Sequence, residues 1–296
     1  MRPGAIARLL RPKQWSKNLL VFAGLLFTGS FTVTDLVVRT LIAFAAMCLA
    51  SSGTYALNDA LDAPKDRLHS KKKSRPVASG EVTLEVAVGL GLALMALGTT
   101  LAFSLNRASG FVVLAYLVLQ ALYNGALRRI PIADVFGLSI GFVLRAMLGA
   151  TAIWVAISGW LLFCTGALAL LLGFAKRRNE FLVESGDSRE SLGKYTLKSL
   201  DSFVVIAACV AAICFGIYSL ESPTAESHPA LFLTTPFVFY GICRYVFLVF
   251  AYDEGGEPES VLLKDPHVWG SVIGFVAMAA LAMSGVQVPL IEPMGR

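Results

Sequence analysis

Long apolar runs separated by short polar breaks dominate the chain. Runs near twenty residues fall at about 18–31, 36–57, 83–104, 110–127, 132–153, 158–175, 202–220, 229–251 and 268–288. A helix needs about twenty apolar residues to cross the hydrocarbon core of a bilayer. The pattern therefore predicts an all-α integral membrane protein with about nine transmembrane helices. The first run is the shortest. Glycine and proline interrupt several runs, which membrane helices tolerate. The polar breaks are unequal. Residues 58–82 and 176–201 form two long ones after the second and sixth runs, four helices apart, a spacing that hints at a duplicated half.

The distribution of Lys and Arg orients the runs. With the N-terminus inside, twenty of the 25 Lys and Arg residues lie on the inner side and three, Arg39, Arg107 and Arg296, on the outer side. The remaining two, Arg145 and Arg244, fall within runs. The long polar breaks all face inward, so the chemistry is expected on the cytoplasmic side of the cell membrane. The net charge of +5 follows from this asymmetry and calls for no nucleic acid.

Composition agrees with the pattern. The chain is 56% hydrophobic and 15% charged, where a soluble domain is about 25% charged. Residues 1–296 read as a single polytopic membrane domain. Residues 1–17, with Arg2, Arg8, Arg11 and Trp15 among apolar positions, read as a basic segment suited to the headgroup interface. The run after them has no small-x-small cleavage site and reads as a retained first helix. The five cysteines, Cys48, Cys164, Cys209, Cys214 and Cys243, all sit in apolar runs without metal-site spacing, and read as packing residues.

The chemistry concentrates after the second run. Asn58 and Asp59 are followed by Asp62 and Asp66, then His69 and the pair Arg75 and Pro76. Spacings of three and four place the three aspartates on one helix face. Like charges stacked in this way call for a cation among them. Magnesium takes oxygen ligands and shares them with substrate phosphates. Asn58, Asp59 and Asp62 are the candidate ligands for Mg2+, and Asp59, Asp62 and Asp66 the candidate catalytic residues. Pro64 is expected to bend or break the helix before Asp66.

This stretch, N-D-x-x-D-x-x-x-D with a following His and Arg-Pro, resembles the first signature of the UbiA superfamily of membrane prenyltransferases. The resemblance implies nine transmembrane helices around a central cavity, with the acidic residues on the cytoplasmic side. Most members carry a second acidic motif, D-x-x-x-D, after the sixth helix. This chain departs from it, with Lys176, Arg177, Arg178, Asn179 and Glu180, then Glu184, Asp187, Arg189, Ser191, Leu192, Tyr195 and Lys198. That version is similar to the decaprenyl-phosphate phosphoribosyltransferase branch. So are the opening stretch from Arg11 to Asn18 and the later group of Arg244, Tyr245, Gly256, Glu257, Pro258, Glu259 and Asp265.

The branch implies transfer of a phosphoribosyl group from phosphoribosyl pyrophosphate to a polyprenyl phosphate within the membrane lipids, with Mg2+ required. Such substrates bring three anionic groups to one site. Lys17, Arg75, Lys176, Arg177 and Lys198 are the candidate phosphate contacts, and Tyr195 a candidate donor. Arg145, near the middle of a run, is a further candidate because an arginine at mid-bilayer usually faces a polar interior. Asp134 and Arg244 are weaker ones. A homo-oligomer is compatible with this reading. Two other functions stand beside it: prenyl transfer from a prenyl diphosphate to an aromatic acceptor, and transport without catalysis, against which the gathering of polar residues on one side argues.

Overall fold

The computed structural model describes residues 3–68, 72–156, 158–183, 191–256, 261 and 264–284. All regular structure among them is helical. The α-helices are α1 (Pro3–Leu10), α2 (Ala23–Thr28), α3 (Thr34–Asp66), α4 (Leu84–Leu105), α5 (Arg107–Gly125) and α6 (Ala133–Ala152), then α7 (Gly159–Val183), α8 (Leu197–Glu221), α9 (Pro223–Ser227), α10 (Thr235–Ala251) and α11 (Pro266–Met283). Eight helical stretches among the described residues are long and apolar enough to cross a bilayer: α3 to α8, α10 with the 3-10 turns before it, and α11. The protein is a multi-pass membrane protein.

The run expected at 18–31 is not one continuous helix. A 3-10 segment covers Pro12–Phe22, six α-helical residues follow, and a short 3-10 turn closes the stretch at Ser30–Thr32. A 3-10 helix eclipses residues i and i+3, and Asn18 and Val21, three apart, are the buried residues of this segment. Val21 lies so close to α6 that a Cβ at Gly149 would strike its carbonyl. Close packing on this narrow face overrides the α-helical preference of the apolar run.

The described residues divide into two compact units. Unit 1 comprises Met1–Gly24, Val33–Asn124 and Leu144–Val155; unit 2 comprises Leu25–Thr32, Gly125–Val143 and Ala156–Arg296. Unit 1 is built on the long pair α3 and α4, and unit 2 on α7 and α8. Each unit thus holds one of the two long polar breaks.

In unit 1 the seam between α3 and α4 is lined with small residues. Ala43, Ala46 and Ala50 are fully buried on α3, with Ala102 on α4. Lipid tails are as apolar as side chains, so helices in a bilayer associate through close packing rather than hydrophobic expulsion. At Gly98 the backbones approach so closely that a Cβ would stand 2.6 Å from the Ala46 carbonyl oxygen. The opposite faces meet lipid. On α5, Val113 and Tyr116 are buried while Phe111, Val118 and Leu122 are exposed. At 33 residues, α3 is about 50 Å long against a hydrocarbon core of about 30 Å, so its polar end projects.

In unit 2, α10 and α11 are joined by a cap. The Asp265 carboxylate accepts the backbone N–H groups of His267 and Val268 at the start of α11, at 3.1 and 2.9 Å. It also accepts a hydrogen bond from Arg244 Nη2 at 2.8 Å. Arg244, placed inside a run by the sequence, is therefore an interhelical pair. Its guanidinium, with the two backbone donors, lowers the Asp265 pKa to about 2.

Two outcomes follow. Gly98→Leu should lower stability by about 1–3 kcal/mol through overpacking, read as a lower Tm in detergent, with Gly89→Leu, where the added carbon meets nothing within 4 Å, as the neutral control. Because the Asp265 pKa is depressed in the folded state, its contribution is present above its ordinary value of 3.8 and lost as the pH falls toward about 2. The Tm gap between wild type and Asp265→Asn should therefore be widest near neutral pH and close between about pH 4 and about pH 2.

Candidate active site

The acidic stretch forms the last turns of α3, which stays helical through Asp66. Pro64 does not break it. The proline lies two residues from the helix end with its ring exposed, so it forfeits one bond to the Ala60 carbonyl while little helix follows for a kink to displace. Asp59, Asp62 and Asp66 therefore do share a face. Asp59 is 2% exposed and Asp66 5%, while Asp62 and Asn58 are half-buried.

Two arginines meet these carboxylates. Arg11 Nη2 donates to Asp59 Oδ1 at 2.9 Å. Arg75 Nε lies 3.7 Å from the same oxygen, and its Nη1 donates to Asp66 Oδ2 at 2.7 Å. Each arginine is held by packing behind it. Ala5 and Leu9 of α1, with Val77 and Val82 flanking the Arg75 turn, bury themselves with Ala56, Ala60 and Ala63 of α3. Trp15 Nε1 donates to Ser52 Oγ at 3.0 Å, and that hydroxyl donates to the Leu10 carbonyl at 2.9 Å. Arg11 itself sits in the left-handed region at φ 51° and ψ 59°, with its guanidinium 5.3 Å from the centre of the Tyr55 ring.

The other oxygen of Asp59, Oδ2, is buried and has no hydrogen-bond partner among the described residues. A buried carboxylate oxygen without a partner is costly, and a hard cation is the natural complement. No three His, Cys, Asp or Glu side chains among the described residues lie close enough to hold a metal alone. The donor set fits magnesium, which is usually held by one or two carboxylates and completed by water and phosphate oxygens.

The cationic stretch at the end of α7 in unit 2 is differently disposed. Arg177, 1% exposed, donates from Nε to Oδ2 of the fully buried Asp134 at 2.7 Å and from Nη1 to Glu180. Tyr195 donates to Asp134 Oδ1 at 3.1 Å and accepts the backbone N–H of Ile132. Burial, then the neighbouring Asp134 carboxylate, push the Tyr195 hydroxyl up to about 12, so it acts as a hydrogen-bond donor and not as a base. Arg178 bridges Asp201 at 2.7 Å and Asp253 at 2.6 Å and donates to the Val249 carbonyl at 3.0 Å. Arg177 and Arg178 thus tie α7 to α6, α8 and the end of α10. Lys176 is half-buried and Lys198 exposed. Thr196 opens α8 with a reciprocal cap to Ser199, which fixes Tyr195 inward and Lys198 outward. An apolar cavity of about 320 Å³ lies alongside, lined by Ile132, Phe136, Phe174, Phe203 and Ile206 among others.

Arg145 belongs to the interior of unit 1. It is 4% exposed, donates to Asn18 Oδ1 at 2.8 Å and to the Tyr116 hydroxyl at 3.1 Å, and stacks over the Tyr116 ring. Asn18 in turn donates to Cys48 Sγ and Ser51 Oγ. Lys17, next to Asn18, is half-buried. Of the residues singled out in the sequence, Arg2, His69, Glu184, Asp187, Arg189, Glu257, Pro258, Glu259 and Arg296 lie outside the described residues.

Sequence reasoning missed Arg11 as a partner of Asp59, across 48 residues. The Arg11-to-Asn18 stretch carried family resemblance without a role for Arg11. It took Asp134 as a weaker candidate. A carboxylate at the start of an apolar run is also expected from the helix dipole alone, and only the fold shows its buried arginine.

Residues 18–179 match the model of the UbiA prenyltransferase family. The chain is 32% identical to a decaprenyl-phosphate phosphoribosyltransferase of Corynebacterium glutamicum, over 93% of this chain and 86% of that one. It is 31% identical to the protein of the same name from Mycolicibacterium smegmatis, over 88% of this chain and 86% of that one. Its fold resembles that of a UbiA homolog from Archaeoglobus fulgidus bound to GPP and Mg2+, with a TM-score of 0.73, 18% identity and coverage of 95% and 99% of the two chains. From the acidic end of its long third helix to its all-helical multi-pass fold, this chain is a transferase belonging to the UbiA prenyltransferase family.

Proposed function

We propose that the protein transfers the 5-phosphoribosyl group of phosphoribosyl pyrophosphate to a polyprenyl phosphate, with Mg2+, at the cytoplasmic face of the cell membrane. The reading rests on likeness over most of both chains to two relatives of that name. The partnerless buried Oδ2 of Asp59 supports its metal-dependent part.

In this reading Asp59 and Asp62, with the Asn58 side chain, hold the metal. When bound, Mg2+ supplies charge neutralisation that makes pyrophosphate a better leaving group. Arg75, held against Asp59 and Asp66, and Lys17 meet anionic oxygens of the donor. Asp66 fixes Arg75. An oxygen of the lipid phosphate forms a bond to ribose C1 as the bond from C1 to pyrophosphate breaks, through an oxocarbenium-like state and with inversion. The attacking phosphate is already ionised at neutral pH, so no side chain has to act as a strong base. Lys176 and Lys198 are the proposed phosphate contacts on unit 2. Arg177, given to Asp134 and Glu180, holds α7 and α6 together, and Tyr195 serves the same cluster. Arg145 orders the interior behind Asn18. The apolar cavity on unit 2 suits an isoprenoid chain.

Prenyl transfer to an aromatic acceptor is the second reading, favoured by the fold's likeness to a homolog bound to GPP and Mg2+. The two are separated by assay of the purified protein with ribose-labelled phosphoribosyl pyrophosphate, a polyprenyl phosphate and Mg2+. Label should enter the lipid fraction. It should be abolished by a chelator and reduced at least about 100-fold by Asp59→Asn, because the buried oxygen then offers a neutral amide to the cation. Consumption of a prenyl diphosphate with an aromatic acceptor, and no transfer of ribose label, would replace the first reading by the second.

A further inference from the structure

The carboxylates at the end of α3 do not stand as bare negative charge. Asp59 and Asp66 are both buried and both paired, with Arg11 and Arg75. Of the three aspartates that share this face, these two formal negative charges face two positive ones. A divalent cation approaching this cluster alone meets guanidinium groups as well as carboxylates. A diphosphate approaching alone meets carboxylates as well as guanidiniums. Together the two ligands bring charges that complement both halves.

The partners also differ in freedom. The Asp59 side chain is 2% exposed and that of Arg11 32%. The Arg11 backbone is held in the left-handed region, which non-glycine residues occupy at a cost and only where the surroundings enforce it. Here the enforcing groups are the Trp15–Ser52–Leu10 hydrogen-bond chain and the buried face of α1. The main chain of Arg11 is thus fixed while its guanidinium, resting over the Tyr55 ring, stays partly open to solvent. If the pair separates, the arginine is the part able to move.

We propose that Arg11 is a resident counter-cation of Asp59 that exchanges this partner for phosphate oxygens of the arriving substrate, so that the site binds a divalent cation and a diphosphate as a coupled pair. This rests on the proposed function in one respect, that the acidic end of α3 handles a metal-bound diphosphate. It adds a role for Arg11 and a sign for the coupling. Binding of each ligand removes the unfavourable charge that the other meets, and linkage makes the enhancement reciprocal.

The test is equilibrium dialysis of the purified full chain in detergent against Mn2+ and radiolabelled inorganic pyrophosphate, separately and together, with Tm measured for every variant. Wild type should bind each weakly alone, and the other ligand should tighten it by about tenfold or more. Arg11→Gln should bind Mn2+ alone about tenfold more tightly than wild type, since a repelling charge beside Asp59 is gone. It should bind pyrophosphate more weakly, and most of the mutual enhancement should vanish. Arg11→Lys keeps the charge and should restore weak binding of Mn2+ alone. Asp59→Asn should lose Mn2+ binding.

Arg11→Gln indistinguishable from wild type in both ligands, with Asp59→Asn still losing Mn2+, overturns the role of Arg11 and leaves the proposed function standing. Equal weakening of both ligands in Arg11→Gln and Arg11→Lys, with a lowered Tm, assigns Arg11 to folding and overturns the exchange. Wild type binding neither ligand even when both are present removes the metal-bound diphosphate and this inference with it.

Discussion

A charge enclosed among apolar helices is tolerated only when another group neutralises or solvates it. The rest of this structure depends on how that requirement is met. Asp134 and Arg177 are almost completely buried and answer each other. Arg178 is answered by Asp201 and Asp253, and Arg244 by Asp265. In each case the partner lies on a different helix or on the loop that ends one, so neutralising the charge also fixes how two elements meet. Removing one partner of such a buried pair costs far more than the pair contributes net, because the other charge stays behind. The pairs therefore act as constraints on geometry more than as reservoirs of stability.

The stretch Lys176, Arg177, Arg178 and Asn179 illustrates this. In sequence it looks like a block of positive charge waiting for phosphates. In the fold, successive residues of α7 point in different directions around the helix and find separate partners. Arg177 reaches α6, Arg178 reaches α8 and the end of α10, and Asn179 donates to the Asp253 carbonyl. The block is a hub that organises unit 2. The charge it offers a ligand is smaller than its composition suggests.

Unit 1 uses the same requirement for a different end. At Arg145 the interior is satisfied by Asn18 and Tyr116. At the projecting end of α3 one carboxylate oxygen remains buried without a partner while its twin holds an arginine. An interior built only for stability would avoid such an atom. In the proposed function this atom meets the metal ion. The small-residue seam between α3 and α4 holds the helix carrying it close to its neighbour.

The sequence by itself determined the class. Apolar runs of bilayer length, the bias of Lys and Arg to one side and the spacing of Asp59, Asp62 and Asp66 are local properties, and eight of the nine runs fold as bilayer-length helices. The extent of α3 beyond Pro64 was not legible, since the sequence placed a bend or break there and the helix runs on to Asp66. Tertiary structure decided what locality does not encode. The apolar stretch at 18–31 became a 3-10 segment and short helical pieces because Asn18 and Val21 had to reach one narrow buried face. Arg177 was paired with a carboxylate 43 residues away. Arg11 was brought to Asp59 across 48 residues by the packing of Ala5 and Leu9. Which charge meets which is a property of three-dimensional neighbours, and the free energy of a buried charge depends on those neighbours and not on its place in the chain.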